Sequence, residues 1–330
     1  MLHLRIVAPP HLSEAVAEVA SDATCSNLVV LPGAARRPAG DLLLFDVARE
    51  GADAVLQRLR QLGLPRDGSI AVEDVDLSVS QAAEDAERAA PGHGSDALVW
   101  EDLAARTRED STLSASYLVF FAVATALAGL AVLTDSAILV IGAMIVGPEY
   151  GALAGLCAAV VLRRTRQVRR CALALLVGFA VGIAATVVTT WVLDAVGLIS
   201  ADMLTRDRPQ TGFIYNPDAL SFVVAFLAGI AGMLALTSAK SGAVVGVLVS
   251  VTTIPAAGNA AVAATYALSA EPASRAVLLE QAWTSVEQLL LNTLGILLAG
   301  VLTLWVQHGV WRRVGRASRG QRARVTTRAS

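Results

Sequence analysis

One apolar stretch, Ser136–Leu162, constrains this chain more than any other feature. It is long enough to cross a bilayer as a helix, since about 20 apolar residues suffice, and it carries the sequence GAMIVGPEYG at its middle. Pro148 removes a backbone donor and clashes with the preceding turn, so we expect the helix to break there. Glu149 would lie near the membrane midplane, where a carboxylate costs on the order of 3 kcal/mol. We therefore expect it to face the protein interior or a water-filled cavity.

The composition is typical of a membrane protein. Of the 330 residues, 55% are hydrophobic and 16% are charged, with a mean hydropathy of +0.59, whereas ordinary soluble chains carry about 25% charged residues. The apolar residues cluster after Leu113. This distribution predicts a soluble N-terminal domain (the front domain) followed by a membrane domain. The 3 cysteines and 4 scattered histidines suggest neither a disulfide framework nor a metal site. We expect no metal and no cofactor.

Residues 1–80 are predicted to form a small α+β domain of the ferredoxin-like type. Their hydrophobic patterning indicates the order βαββαβ, with both helices on one face of an antiparallel sheet. Strands are predicted over Leu2–Val7, Asn27–Leu31, Asp41–Val47 and Ser69–Val79, and helices over His11–Ala20 and Ala52–Leu62. The first residues lack the long apolar segment of a signal peptide, so we expect this domain to stay in the cytoplasm.

Two arginines in the predicted hairpin loop are candidate ligand-binding residues of the front domain. Arg36 and Arg37 lie in the sequence PGAARRPAG, which spans residues 32–40. Such a loop could hold a small anionic metabolite, because guanidinium groups bind carboxylates and phosphates well. The alternative is a solvated turn without a ligand.

Six membrane spans are predicted between residues 113 and 310. Residues 81–112, which precede them, are predicted to form a linker with a short amphipathic helix, Asp96–Asp110, on the membrane surface. The spans are Leu113–Thr134, Ser136–Leu162, Cys171–Ile199, Ala219–Ala239, Gly242–Leu268 and Leu289–Gln307.

The arginines predict which side of the membrane each loop occupies. The link 163–170 carries five arginines, and residues 311–330 form a basic tail with seven and no acid. Cytoplasmic loops carry such an excess, so we expect both termini in the cytoplasm, in a multi-pass protein of the bacterial plasma membrane. The tail is expected to meet anionic lipid of the bilayer and no nucleic acid.

The two halves of the membrane domain resemble each other. Spans one and two, like spans four and five, are joined by a short turn, and the second member of each pair carries Pro-x-x-Gly, at Pro148–Gly151 and Pro255–Gly258. Three spans per half would place these segments in opposite orientations, the pattern of an inverted repeat with its binding site at the broken helices. A chance match of so short a motif is the alternative.

Polar residues at these breaks are the candidates for binding a solute or ion. They are Glu149, Pro148, Gly151, Pro255, Asn259, Thr253 and Asn292. Freed carbonyls and helix termini at such breaks bind ions, and a protonatable Glu149 could couple proton movement to transport. Alternatively, the Glu149 and Asn259 side chains form hydrogen bonds with the free backbone groups at the helix breaks and with each other. The Thr252 and Thr253 hydroxyls would then donate to backbone carbonyls of their own helix.

Three segments of the membrane domain are distinctive, namely GAMIVGPEYG (142–151), LTSAKSGAVVGVLVSVTTIPAAGN (236–259) and EQLLLN (287–292). Together they resemble a known prokaryotic membrane family, the domain of unknown function 389. The loop PGAARRPAGD is similar to that of the actinobacterial branch. The resemblance implies a multi-pass, oligomeric membrane protein with no settled substrate, and it supplies no catalytic residues.

Two functions compete on the sequence alone. We find no Walker A, G-x-S-x-G, H-E-x-x-H or dinucleotide motif, so we do not expect an enzyme. The favoured interpretation is a homo-oligomeric secondary transporter or channel for a small solute or ion, with its pathway at the two Pro-x-x-Gly breaks. The alternative is a membrane-anchored sensor or scaffold whose front domain binds a small anionic metabolite at Arg36 and Arg37.

Overall fold

The computed structural model describes residues 1–75, 77–90, 100–237 and 252–329. These residues fall into two compact units. The first contains the N-terminal residues up to Asp102, together with Thr237 and the residues from Gln307 onward. The second contains the described residues from Leu103 to Leu236 and from Thr252 to Val306.

The first unit contains a four-stranded antiparallel sheet in the order β2-β3-β1-β4. Its elements follow the predicted order, with one short extra helix, α3. They are β1 (Leu2–Ala8), α1 (Pro10–Ala20), β2 (Cys25–Arg36), β3 (Ala39–Val47), α2 (Arg49–Gln61), α3 (Leu64–Asp67) and β4 (Ser69–Asp74). Alternate residues of β1, such as Leu4 and Ile6, share one core with Val16 of α1 and Val55 of α2, because side chains of a strand point alternately to its two faces.

Two strand ends differ from the prediction. β2 continues to Arg36 instead of ending at Leu31, and it pairs with β3 up to Arg36 opposite Ala39. This extension is supported by the Asp41 carboxylate, which accepts the Gly33 backbone N–H at 2.7 Å. At the other edge β4 ends at Asp74 instead of Val79.

A helix lies where the sequence predicts a linker. α4 (Gln81–Ala89) begins at Ser80, whose side chain accepts the Ala83 backbone N–H at 3.1 Å and so satisfies one free donor of the first turn. Ala83 and Ala86 are buried, which gives this short helix an inner face. The predicted surface helix begins outside the described residues, and its described part is α5 (Trp100–Asp110).

The second unit is helical and contains several apolar helices that are compatible with a membrane-spanning protein. Four of these helices are long and apolar enough to cross a membrane, and a pair of shorter helices joined by a bend would make a fifth span if it crosses as one. The elements are α6 (Ala115–Leu133), α7 (Ala137–Val146), α8 (Glu149–Val161), α9 (Thr165–Ala195), α10 (Asp202–Thr205), a 3-10 turn (Gly212–Ile214), α11 (Ala219–Thr237), α12 (Thr253–Ser269) and α13 (Pro272–Ala329).

Helix ends differ from the predicted spans in two places. α9 begins at Thr165, so the arginines of the predicted link from Arg166 onward lie on its first turns. α13 runs through the predicted sixth span and the predicted basic tail without a break. The turn predicted between spans four and five, and the first half of span five, lie outside the described residues. The count of six spans therefore stays a prediction.

The predicted break at Pro148 is present. α7 ends at Val146 and α8 begins at Glu149, and the two helices are bent by 51° across Gly147 and Pro148. Pro148 precedes the first residue of α8, a position where its missing N–H costs no helical hydrogen bond.

α12 is the most deeply buried helix of the second unit that the structure describes. Every residue from Thr253 to Ala263 is buried, and many of these residues are alanine or glycine. Small side chains let helix backbones approach closely, and Gly258 lies directly against Gly129 of α6. Thr252, which precedes this helix, and Thr253, its first residue, connect it to the candidate site.

Candidate functional site

The first residues of two helices meet at a buried carboxyl group. Glu149 is the first residue of α8 and Thr253 the first of α12. The Thr253 hydroxyl donates to Glu149 Oε1 at 3.1 Å, and Glu149 is only 2% exposed. Glu149 Oε2 has no hydrogen-bond partner among the described residues. This oxygen lies against Gly147, where any Cβ would collide with it, so the break itself makes room for the carboxyl group.

A second polar cluster connects the same end of α12 to α13. The Asn292 side-chain amide donates to the Thr252 hydroxyl at 2.6 Å, and Gln288 Nε2 donates to Asn292 Oδ1 at 3.4 Å. Gln288 Oε1 is buried and accepts no hydrogen bond from the described residues. Thr252 and Thr253 thus bond to α13 and α8 respectively, on either side of the helix start.

A third cluster surrounds Asn259, deeper along α12. Its Nδ2 donates to Ser285 Oγ at 2.7 Å, and its Oδ1 accepts from Gln281 Nε2 at 3.3 Å and from an Arg208 Nη1 at 3.2 Å. Asn259 is fully buried, so these bonds offset the cost of removing its amide from water.

Arg208 is a buried cation in the segment between α9 and α11. It is 2% exposed, its guanidinium carbon lies 4.4 Å from the centre of the Tyr215 ring, and its Nε has no hydrogen-bond partner among the described residues. Burial lowers the pKa of the Arg208 guanidinium, and Tyr215 and the Asp135 carboxylate act against this shift. A cation over an aromatic face is partly compensated for its lost hydration.

A cavity of about 560 Å³ opens beside the second cluster. Its walls are mostly apolar and come from α7, from the segment before α11 and from the first turns of α11, while α13 and the residue before α12 supply polar groups. The described lining residues are Ala137, Val140, Ile141, Met144, Phe213, Asn216, Asp218, Leu220, Ser221, Val224, Ala225, Thr252, Gln288 and Asn292. We call this space the α7–α11 cavity.

Asp218 places a carboxylate on the cavity wall. Its Oδ1 accepts both the backbone N–H and the hydroxyl of Ser221, each at 2.7 Å, which caps the start of α11. These two bonds lower the pKa of the Asp218 carboxyl group, the hydroxyl having the larger effect. Asp218 is therefore ionised at neutral pH.

The structure brings some of the predicted site residues together and separates others. Glu149 and Thr253 are in contact, Pro148 lies beside them at the break, and Asn292 reaches the adjacent Thr252. Asn259 belongs to the separate cluster with Arg208.

Two predicted site residues lie in ordinary packing positions. Gly151 lies against Asp110, so it lines a contact between α8 and α5. Pro255 falls in the first turn of α12, where a helix tolerates proline because those N–H groups lack helical partners.

Of the alternative interpretations, one stays untested and one is wrong. The Thr252 hydroxyl accepts from Asn292 and the Thr253 hydroxyl donates to Glu149, but the carbonyls three and four residues before them, to which they would bond within a helix, lie outside the described residues. Glu149 and Asn259 do not satisfy each other, because the partners of Asn259 are Ser285, Gln281 and Arg208.

Sequence reasoning missed the polar stripe on α13. Gln281, Ser285, Gln288 and Asn292 recur at helical spacing and all four are buried, so a polar face within an apolar helix was readable from the sequence. The span was placed from Leu289 onward, which left most of the stripe outside it. Arg208 had no such signal, because an arginine in a polar connecting segment is ordinarily exposed.

Arg36 and Arg37 lie at the tip of the β2–β3 hairpin and are exposed. The adjacent Gly33 N–H, which could have helped to bind an anion, is taken by the Asp41 carboxylate. Bonds from the Ser13 hydroxyl and from that N–H lower the pKa of the Asp41 carboxyl group. A fixed negative charge thus lies within the loop that was proposed to hold an anion.

Within the described residues, no group of three or more His, Cys, Asp or Glu side chains is arranged to hold a metal ion. Cys25, Cys157 and Cys171 are free thiols.

Comparison with protein families gives a match in the second unit. Residues 144–298 match the family described as Domain of unknown function (DUF389). This segment runs from the end of α7 to the middle of α13 and so includes Glu149, Thr253, Asn259 and the polar stripe. No curated protein and no solved structure matches the chain significantly.

Proposed function

Residues 144–298 of this chain belong to the DUF389 family, and from the geometry of that region we propose that the protein is a secondary transporter or channel for a small solute or ion. The observation that carries the proposal is the α7–α11 cavity, whose described lining includes Thr252, Gln288 and Asn292. The next residue, Thr253, reaches the buried Glu149 at the helix break.

The first argument for this proposal is the free energy that the helix break and the buried Glu149 carboxyl group cost. In a bilayer, an interrupted helix and a buried carboxyl group each cost several kcal/mol, and they persist where they are buried in protein or line a cavity or a pathway. Both occur together at Gly147–Glu149. A chain that needed only a membrane anchor would gain stability by replacing Glu149 with an apolar residue.

The meeting of two helix starts supports an inverted repeat. α6 and α11 are each 19 residues long, and each precedes one of the helices, α8 and α12, whose first residues form the Glu149–Thr253 bond. Half-helix N-termini that converge near the midplane form the binding sites of inverted-repeat transporters. The two prolines do not correspond in position, because Pro148 precedes its helix while Pro255 is the third residue of α12.

The proposal also includes the number of spans, their orientation and the assembly of the protein. We propose six spans with both termini in the cytoplasm, in the plasma membrane of a bacterium, and a non-enzymatic, homo-oligomeric protein. The strand order β2-β3-β1-β4, with α1 and α2 packed into one core, supports a ferredoxin-like first unit.

Water access to the cavity from both sides of the membrane tests this function. In a background with all three native cysteines replaced, Ala225→Cys places a thiol on the cavity wall and Ala228→Cys places one on the same helix outside the described lining. Both alanines are buried. A membrane-impermeant thiol reagent is applied to each side of oriented vesicles in turn.

A transporter or channel is expected to label at Ala225→Cys from both sides and to stay unlabelled at Ala228→Cys. Labelling of Ala225→Cys from one side only would indicate a dead-end pocket and would favour the sensor alternative, with its ligand site at Arg36 and Arg37. Labelling from neither side would mean that the cavity is closed packing, and the proposal would be wrong.

A further inference from the structure

We propose that the α7–α11 cavity binds a small organic solute with an apolar body and one protonated amino group. This inference rests on the proposed function, since it names the class of substrate that the same cavity would carry. Three independent properties of the described lining lead to it: its charge, its unused hydrogen-bonding groups and its size.

The charge of the lining favours a cation. Asp218 is the only ionisable side chain among the described lining residues, and no lysine, arginine or histidine occurs among them. Its Oδ1 accepts two bonds from Ser221, and the carboxylate keeps its full negative charge. The Asp218 side chain is exposed, and an anionic solute on this wall would still be repelled by its fixed negative charge, although water weakens the repulsion.

The hydrogen-bonding groups favour a solute that donates. At the polar end of the cavity, Thr252 and Asn292 are bonded to each other at 2.6 Å. Gln288 Oε1 is buried there without a partner among the described residues. A buried acceptor without a partner costs on the order of 1–3 kcal/mol, which a ligand N–H would recover. A carboxylate or a phosphate offers further acceptors and would leave Gln288 Oε1 unpaired.

The size and the walls favour an organic solute over a bare metal cation. The volume of about 560 Å³ lies within the range of about 300–1,000 Å³ that is usual for small-molecule sites. A bare cation needs several converging oxygen ligands, whereas most of the described walls are aliphatic, with one ring from Phe213. An ammonium group bonded to Gln288 Oε1, on a cavity wall that carries the negative charge of Asp218, with its apolar part along α7 and α11, fits both kinds of surface.

The test uses the full chain in lipid nanodiscs and three probes of the same shape. Benzylammonium is the cation, benzyl alcohol the neutral analogue and benzoate the anion, and calorimetry at pH 7 measures their binding. The variants are Asp218→Asn, which keeps a cap for α11 while removing the charge, and Gln288→Leu, which removes the acceptor. Glu287→Gln is the matched control, because Glu287 lies next to Gln288 on α13 but bonds to Trp283 and is absent from the described lining.

We expect benzylammonium to bind more tightly than benzyl alcohol and benzoate. Its affinity should fall about tenfold in Asp218→Asn and in Gln288→Leu, the size of one lost hydrogen bond to a charged group. Glu287→Gln should bind like the unmodified chain. Gln288→Glu places a second carboxylate beside the amine and should bind it more tightly, a gain that a misfolded variant cannot mimic.

Several results would overturn the inference. These are no benzylammonium binding by the unmodified chain, binding of benzoate or benzyl alcohol at equal affinity, or unchanged affinity in Asp218→Asn and Gln288→Leu. Labelling of Ala225→Cys from both sides without amine binding would leave the proposed function standing and would reject only the substrate class. Labelling from neither side, with no amine binding, would reject both.

Discussion

At the scale of single residues, the Glu149–Thr253 contact makes a measurable contribution to stability. Replacing Thr253 with valine keeps the shape of the side chain but leaves Glu149 Oε1 without its donor, in addition to the unpaired Oε2. We expect Thr253→Val to lower the free energy of unfolding by about 1–3 kcal/mol, the cost of a stranded buried acceptor. The thermal unfolding of the chain in nanodiscs measures this loss.

Thr265→Val is the matched control for that measurement. Thr265 is buried on the same helix, and its hydroxyl donates at 2.7 Å to the Ala261 carbonyl, which can also accept a backbone bond within the helix. Its replacement should change stability by less than about 0.5 kcal/mol. Equal losses in the two variants would contradict a specific role for the Glu149 contact.

Cys25 of the first unit should react slowly with thiol reagents. Burial, with a smaller effect of the Asp22 carboxylate, raises the pKa of the Cys25 thiol to about 12. At pH 8 only about one thiol in ten thousand is then ionised, and the thiolate is the reactive form.

In a chain whose other two cysteines are replaced by alanine, iodoacetamide should modify Cys25 on the order of a thousandfold more slowly than free cysteine. The same chain unfolded in denaturant is the control and should react at the ordinary rate. Equal rates before and after unfolding would contradict the raised pKa.

At the scale of secondary-structure elements, the contact between α12 and α6 depends on Gly258. A Cβ at this position would lie 2.8 Å from Gly129 N and 2.9 Å from Ala128 Cβ, closer than atoms normally approach. We expect Gly258→Ala to force the two helices apart and to lower stability by about 1–3 kcal/mol. Gly142→Ala on α7, whose Cβ would meet only Leu127 at 4.0 Å, should be neutral or stabilise by up to about 1 kcal/mol. Thermal unfolding in nanodiscs compares the two, and equal effects would reject the close approach as the cause.

The elements also show what the sequence could predict. Pro148 located the break between α7 and α8, because the effect of proline on a helix is local. The same rule applied to Pro255 predicts a break in the fifth span, and α12 begins at Thr253, two residues before this proline. The chain before Thr252 lies outside the described residues, so the break of that span stays a prediction. The helix α4 was missed because its inner face consists of two alanines, Ala83 and Ala86, which give little hydrophobic contrast.

The candidate site was predictable in its location and not in its contacts. Polar residues are conspicuous within apolar segments. Glu149, Thr253 and Asn292 could therefore be selected from the sequence. Which of them meet depends on how α8, α12 and α13 pack. For that reason Asn259 and Glu149 were paired wrongly and Arg208 was overlooked.

At the scale of the whole molecule, the number of spans decides where the two ends of the chain lie. By length and hydropathy α6, α9, α11 and α13 can each cross the membrane, and the bent α7–α8 pair makes a fifth crossing if it is one span. If the segment that contains α12 also crosses, the count is even and both termini lie on one side. If that segment enters and leaves on the same face, the count is odd and the termini lie on opposite sides. The arginines of 163–170 and of the tail favour the even count.

Epitope tags placed before Met1 and after Ser330 test this parity. In vesicles whose outer face is the extracytoplasmic one, protease added outside should leave both tags intact, and it should remove both once the vesicles are opened with detergent. Removal of the C-terminal tag alone from sealed vesicles would mean five crossings. Such a result would also remove the basis for an inverted repeat, because the two halves would then cross the membrane three times and twice. The Glu149–Thr253 contact would then join a spanning helix to a re-entrant one, and the cavity would have to be interpreted as an entrance from a single side.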